Sequence, residues 1–186
     1  MDFEELYRRV ENCNKCPLRQ TRKNAVIERG SRTAKLMFVG EAPGGTEDET
    51  GIPFVGAAGK LLDEYLAAAG IDREEVYICN VLKCRPPQNR DPQPAEEDAC
   101  MDYLRAQVRL VDPQMIVCLG RISAMRLIKP DFKITAEHGK WFQKGEYLMT
   151  AVYHPAALLR DHRKKEDMME DMKEIKRKLD EGSDWT

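Results

Sequence analysis

An excess of charge of one sign is missing from this chain. Its 30 Lys and Arg face 32 Asp and Glu, a net −2 over 186 residues. That balance excludes a polycation gripping nucleic acid over its whole surface, so any such contact must be a local basic patch. It also excludes disorder driven by self-repulsion. Long hydrophobic runs are missing too. No apolar stretch approaches the roughly 18 residues of a membrane span, and the opening Met1-Asp2-Phe3-Glu4-Glu5 does not read as a signal peptide. A soluble, cytoplasmic protein with no membrane partner is expected. There is no internal repeat, no linker, and no phosphate loop of the G-x-x-x-x-G-K-S/T or G-x-G-x-x-G kind. What the chain does have is 42% hydrophobic residues, ordinary for a globular protein, and a length suited to one domain.

Six cysteines stand at 13, 16, 79, 84, 100 and 118. Without an export signal they argue against a disulfide framework. Cys79 ends the apolar run Val76-Tyr77-Ile78-Cys79, and Cys118 lies in Met115-Ile116-Val117-Cys118-Leu119; both read as small core residues. The other four have polar, loop-like neighbours: Cys13-Asn14-Lys15-Cys16-Pro17, Cys84-Arg85-Pro86-Pro87, and Cys100 on a helical stretch beyond. A C-x2-C pair and a C-x15-C pair make a four-thiolate set. Such a set suits tetrahedral zinc or an iron–sulfur cluster, and spacing does not choose between them.

Periodicity predicts helices over 2–12, 57–69, 95–110, 121–128 and 164–181, the last with Met168, Met172, Ile175 and Leu179 on one seam. Apolar runs at 36–39, 76–82, 115–119 and 147–153 predict strands. These strands are hydrophobic along their whole length and alternate with helices. That pattern argues for an α/β fold with a parallel sheet covered on both faces. Ligands of such sheets bind beyond the C-terminal strand ends. The segments there are Gly40-Glu41-Ala42-Pro43-Gly44, Asn80 through Arg90, Gly120-Arg121, and His154 through Arg160.

Three of these ends carry polar groups that a plain loop would not require. Glycines around Gly40 let backbone N–H groups approach a ligand, and Glu41 and Glu47 supply carboxylates. Phe54, bracketed by glycine and proline in Gly51-Ile52-Pro53-Phe54-Val55-Gly56, is either a core aromatic or a stacking platform for a flat ligand. Asn80 closes an apolar strand; its amide offers a donor and an acceptor side by side, matching a pyrimidine edge. His154 follows the last strand.

The segments Gly40–Gly44, Gly51–Gly56, Asn80-Val81-Leu82-Lys83-Cys84-Arg85-Pro86-Pro87-Gln88-Asn89-Arg90 and His154-Pro155-Ala156-Ala157-Leu158-Leu159-Arg160 resemble, in order and spacing, the family 4 (iron–sulfur) uracil-DNA glycosylases. The likeness runs from Cys13 to about Arg160. It implies a three-layer α/β/α sandwich around a four-stranded parallel sheet. It implies a [4Fe–4S] cluster on Cys13, Cys16, Cys84 and Cys100, structural rather than chemical in role. Residues 1–186 are expected to form a single monomeric domain, with an N-terminal cluster-binding segment and a C-terminal amphipathic helix.

The reaction implied is hydrolysis of the deoxyuridine N-glycosidic bond in double- or single-stranded DNA. The base must first leave the stack. Phe54 would stack on the flipped uracil, Asn80 would pair with N3–H and O4, and backbone N–H groups at Gly40 and Ala42 would hold O2. His154 would donate a hydrogen bond to the departing anion. Glu41 would orient the water; Glu47 is the alternative, or else the group that crowds C5 against thymine. Leu158, Leu159 and Arg160 would wedge into the minor groove, unless the leucines form a helix's core face. Arg85 and Arg90, with Lys83, Arg163, Lys164 and Lys165, are expected at phosphates. No histidine interrupts Arg85–Arg90, so the covalent DNA trapping of a related branch is not expected. No lysine stands out as a Schiff-base nucleophile, so strand cleavage is not expected either. A non-catalytic cluster-bearing DNA-binding module or an electron carrier would keep the cysteines but have no use for Glu41, Asn80 and His154.

Overall fold

The computed structural model describes residues 1–182. Four apolar segments form the middle of its sheet: β2 (Leu36–Gly40), β3 (Tyr77–Asn80), β4 (Met115–Leu119) and β6 (Tyr147–Val152). They are buried almost throughout because helices cover both faces. Two short strands, β1 (Arg29–Gly30) and β5 (Phe142–Lys144), add to the edges, giving the order β1-β3-β2-β4-β6-β5. The four central strands run parallel. β1 pairs antiparallel to β3, and β5 antiparallel to β6. The expected four-stranded parallel sheet is therefore corrected to a mixed sheet of six. The edge strands have two and three residues, too few to show a period of two.

Alternate residues of each strand enter opposite layers. Leu36, Phe38, Ile78, Val117 and Val152 pack with Leu62 and Leu66 of α3 (Ala57–Ala68), Leu158 of α7 (Pro155–Arg160), and Met168, Met172 and Ile175 of α8 (Lys165–Glu181). Met37, Val39, Cys79, Ile116 and Cys118 pack with Met101 and Leu104 of α4 (Pro94–Val111) and Ala124 of α5 (Arg121–Leu127). The three-layer arrangement follows. The seam predicted for the last helix is the one it buries, each fully covered side chain contributing about 1.5–3 kcal/mol. α1 (Phe3–Glu11) lays Leu6 and Val10 against Tyr103 and Ala106 of α4. That contact brings the Cys13 segment beside Cys100, since both cysteines pack on this small cluster. No helix among the described residues is long and apolar enough to cross a membrane.

From β2 the chain goes to β3 on one side, then returns to β4 on the other. The C-terminal end of β2 is therefore a topological switch point, where a crevice opens between diverging connections. Gly40 lies there, in register with Asn80.

Candidate active site

The residues singled out at positions 40, 54, 80 and 154 meet at this crevice. A Cβ built on Gly40 would come within 2.5 Å of both Asn80 Oδ1 and Phe54 Cζ, so only glycine permits the amide and the ring to close in. The Phe54 and His154 rings lie 5.7 Å apart between centroids, tilted by 34°. Phe54 is 6% exposed and belongs to the core, with its ring edge against Gly40 at this crevice. Asn80 is 1% exposed, and neither Oδ1 nor Nδ2 has a hydrogen-bond partner. An unpaired buried amide costs about 1–3 kcal/mol per group, so this side chain is arranged for something other than stability. The larger surface cavities, of about 490 and 500 Å³, are lined by other residues.

Phe54 is held under strain. Its φ is +55°, a left-handed conformation that is costly for a bulky side chain. Three groups enforce it. Arg29 Nη1 donates to Phe54 O and, at 3.3 Å, to Pro53 O. Gly59 of α3 lies so close that a Cβ there would sit 1.9 Å from Phe54 O. Glu47, in α2 (Gly45–Thr50), accepts from the N–H of Gly44 (3.1 Å), Val55 (3.0 Å) and Gly56 (2.7 Å). The Glu47 carboxylate is thus occupied in bracing the aromatic loop. This helix was not foreseen, because Gly45-Thr46-Glu47-Asp48-Glu49-Thr50 has no apolar period.

His154 caps α7, its Nδ1 accepting from Ala156 N–H at 3.1 Å. With Nδ1 an acceptor, a neutral ring carries its proton on Nε2. Burial, helped by the positive charge of Arg160 and opposed by Glu47, pushes His154 down to about 4. The ring is therefore a neutral donor near pH 7. Glu41, just past β2, is pushed up to about 7, first by burial and then by Asp91, with Arg121 opposing and Glu97 adding. Arg121 pairs with Asp91 at 3.4 Å. Sequence reasoning missed this Asp91–Arg121 pair. The only signal was that Arg121 follows the strand-ending Gly120.

The helix α7 replaces the expected insertion loop. Leu158 is fully buried in the core, so its assignment as a wedge is corrected: it faces the sheet, one turn after the His154 cap. Leu159 is 49% exposed and Arg160 is exposed beside it. Lys83 is corrected likewise, since at 1% exposure it cannot reach a phosphate. Arg85 donates to Asn89 at 2.8 Å and lies over Gly45. Arg90 forms a two-pronged pair with Glu96 at 2.8 Å, and Arg163 pairs with Asp161. Lys164 lies over the Tyr153 ring, and Lys165 is exposed.

Cys13, Cys16, Cys84 and Cys100 line one cavity between α1, the loop after β3, and α4. Arg22 ties these parts together, donating to Val10 O and Glu11 O at the end of α1 and to Cys84 Sγ at 3.2 Å. Lys83 N–H points at Cys100 Sγ, 3.4 Å away. Burial pushes the Cys84 thiol up, and Cys100 up to about 11. Among the described residues, no group of three or more His, Cys, Asp or Glu side chains is arranged to hold a metal ion.

Comparison with known proteins agrees with this arrangement. A family model for the uracil DNA glycosylase superfamily matches residues 27–179, extending the likeness into the last helix. Type-4 uracil-DNA glycosylases are similar over most of their length. The protein from Archaeoglobus fulgidus is 45% identical, over 93% of this chain and 91% of its own. That from Pyrobaculum aerophilum is 45% identical, over 86% of each. That from Thermotoga maritima is 44% identical, over 86% and 84%. The chain belongs to the uracil DNA glycosylase superfamily, and within it to the type-4 branch.

Proposed function

We propose that this chain is a monofunctional uracil-DNA glycosylase, hydrolysing the N-glycosidic bond of deoxyuridine to release uracil and leave an abasic site for base excision repair. One observation carries the reading: the Asn80 amide, buried and unpartnered, lies across Gly40 from an aromatic ring. Its acceptor and donor complement N3–H and O4 of uracil, and the Phe54 ring supplies the stacking face. Backbone N–H groups at Gly40 and Ala42 hold O2. Bond breaking leaves negative charge on the base, and His154, neutral with its proton on Nε2, donates toward it; one such donor is worth roughly 3–4 kcal/mol. Glu41 is the carboxylate that orients water, because Glu47 is already committed to three backbone N–H groups.

Leu159 and Arg160, projecting from α7, fill the space of the extruded base. Arg85 and Arg90 meet phosphates at the rim. Cys13, Cys16, Cys84 and Cys100 hold a [4Fe–4S] cluster, which when bound supplies a rigid cross-link between the N-terminal segment and the loop after β3. The four thiols share one cavity, a donor set that suits a thiolate-held cluster, and the likeness to type-4 glycosylases supports iron over zinc. Residues 1–182 act as one unit in this reading, and one chain suffices for the reaction.

The test is incubation with a uracil-containing oligonucleotide, followed by alkali to break abasic sites. Uracil strands should be cut and thymine strands left whole. Asn80→Asp should abolish cutting, because its carboxylate has no donor for O4 and repels it. Uncut strands with intact protein would defeat the assignment.

A further inference from the structure

The loop after β3 hides a charge that the proposed chemistry does not use. Lys83 is 1% exposed. Its Nζ donates to the backbone oxygen of Asn80 at 2.5 Å, and among the described residues it has no carboxylate partner within ion-pair distance. A buried ammonium with a single neutral acceptor is costly unless an anion lies near. Lys83 also lines the four-cysteine cavity. The same residue therefore faces the cysteines on one side and holds the main chain of Asn80 on the other.

That grip matters because, among the described residues, the Asn80 amide has no hydrogen bond of its own. Its two polar atoms are unpartnered, so its aim follows from its backbone. Asn80 ends β3, and the next two N–H groups, of Val81 and Leu82, turn back to Gly40 O and Glu41 O. The Asn80 carbonyl is left to Lys83.

We propose that Lys83 is a positioning residue for uracil recognition: its side chain, reaching back from the edge of the cysteine cavity, fixes the Asn80 carbonyl and so aims the amide at the base. This rests on the reading of Asn80 given above. The loop lining the cysteine cavity and the uracil edge are then tied through one side chain.

Lys83→Met keeps the length and removes the charge and donors; Lys83→Gln keeps an N–H donor. Both are compared as cluster-loaded protein with the parent, with Asn80→Ala and with the Lys83→Met/Asn80→Ala double variant. The readouts are visible absorbance, iron per chain, thermal midpoint and single-turnover excision. Lys83→Met should keep its iron and absorbance but lose about a hundredfold in excision, the scale of a 1 Å misplacement. Lys83→Gln should recover about tenfold, one hydrogen bond's worth. In the Asn80→Ala background, Lys83→Met should cost less than about twofold, since the two act in series. Losses that multiply in the double variant would overturn the coupling while leaving Asn80's own role intact. Full activity of Lys83→Met would do the same. Loss of iron from both Lys83 variants would make the lysine a cluster-holding residue and refute the amide-aiming role. Full activity of Asn80→Ala would instead sink the uracil-edge reading itself.

Discussion

Acid should slow excision through Glu41 long before it reaches His154. Glu41 is pushed up to about 7 by burial and by Asp91, against the pull of Arg121, whereas His154 is pushed down to about 4. If Glu41 must be ionised to orient water, the rate follows its ionised fraction. At pH 5 that fraction is about one in a hundred for a group titrating near 7, against about three-quarters for an ordinary glutamate. Single-turnover excision should therefore fall about a hundredfold between pH 8 and pH 5, with a slope of one. The imidazole stays neutral across that window and adds no limb of its own. The perturbation that isolates the cause is Asp91→Asn. It removes the like charge next to Glu41 and should move the limb toward lower pH, raising the pH 5 rate while leaving the pH 8 rate nearly unchanged. Arg121→Met should move the limb upward. A flat profile down to pH 5 in the parent would refute the role given to Glu41. So would an unaltered limb in Glu41→Gln, which should be slow and insensitive to pH.

The two neighbouring leucines should separate cleanly: Leu158→Ala should cost about 2–5 kcal/mol of stability as a core truncation, read by denaturant melts, while Leu159→Ala should leave stability unchanged and weaken excision from duplex DNA. His154 and Glu41 should pull stability in opposite directions in mild acid. The unfolded histidine protonates near 6.5 and the folded one only near 4, so this group alone costs about 2 kcal/mol by pH 5, while Glu41, raised to about 7 when folded, binds its proton more readily in the folded chain and offsets that loss. His154→Asn, which keeps a capping side chain, removes the opposing part, so its thermal midpoint should rise relative to the parent's between pH 7 and 5. DNA affinity should fall steeply with salt as Arg85, Arg90 and Arg160 release counterions. A log–log slope near zero in a filter-binding titration would remove the phosphate contacts. Cys79→Ala, a change within the core layer, should leave single-turnover excision largely intact.

The layers of the fold were legible because its central strands are apolar end to end, a pattern that two covered faces impose. The edges were not, since β1 and β5 are too short to carry a period. The helices α2 and α7 escaped for a related reason: each has six residues and is set by its caps and contacts rather than by hydrophobic spacing. Asn80 and His154 were singled out by a rule of topology, that strand ends face ligands, and Phe54 by the glycines and proline that bracket it. The rule is silent on what braces them.

The amino-acid sequence alone determined the layered α/β architecture, the split between two core cysteines and four grouped ones, and the residues that gather past the strand ends. These follow from local pattern and from motif order, which a linear chain carries in full. Only the tertiary structure decided which charges are buried and which groups are already engaged. It turned Lys83 inward, committed Glu47 to the aromatic loop, set Asp91 and Arg121 around Glu41, and gave Leu158 to the core while leaving Leu159 in water. Desolvation and hydrogen-bond partnership depend on contacts between segments far apart in the chain, and no local spacing encodes them.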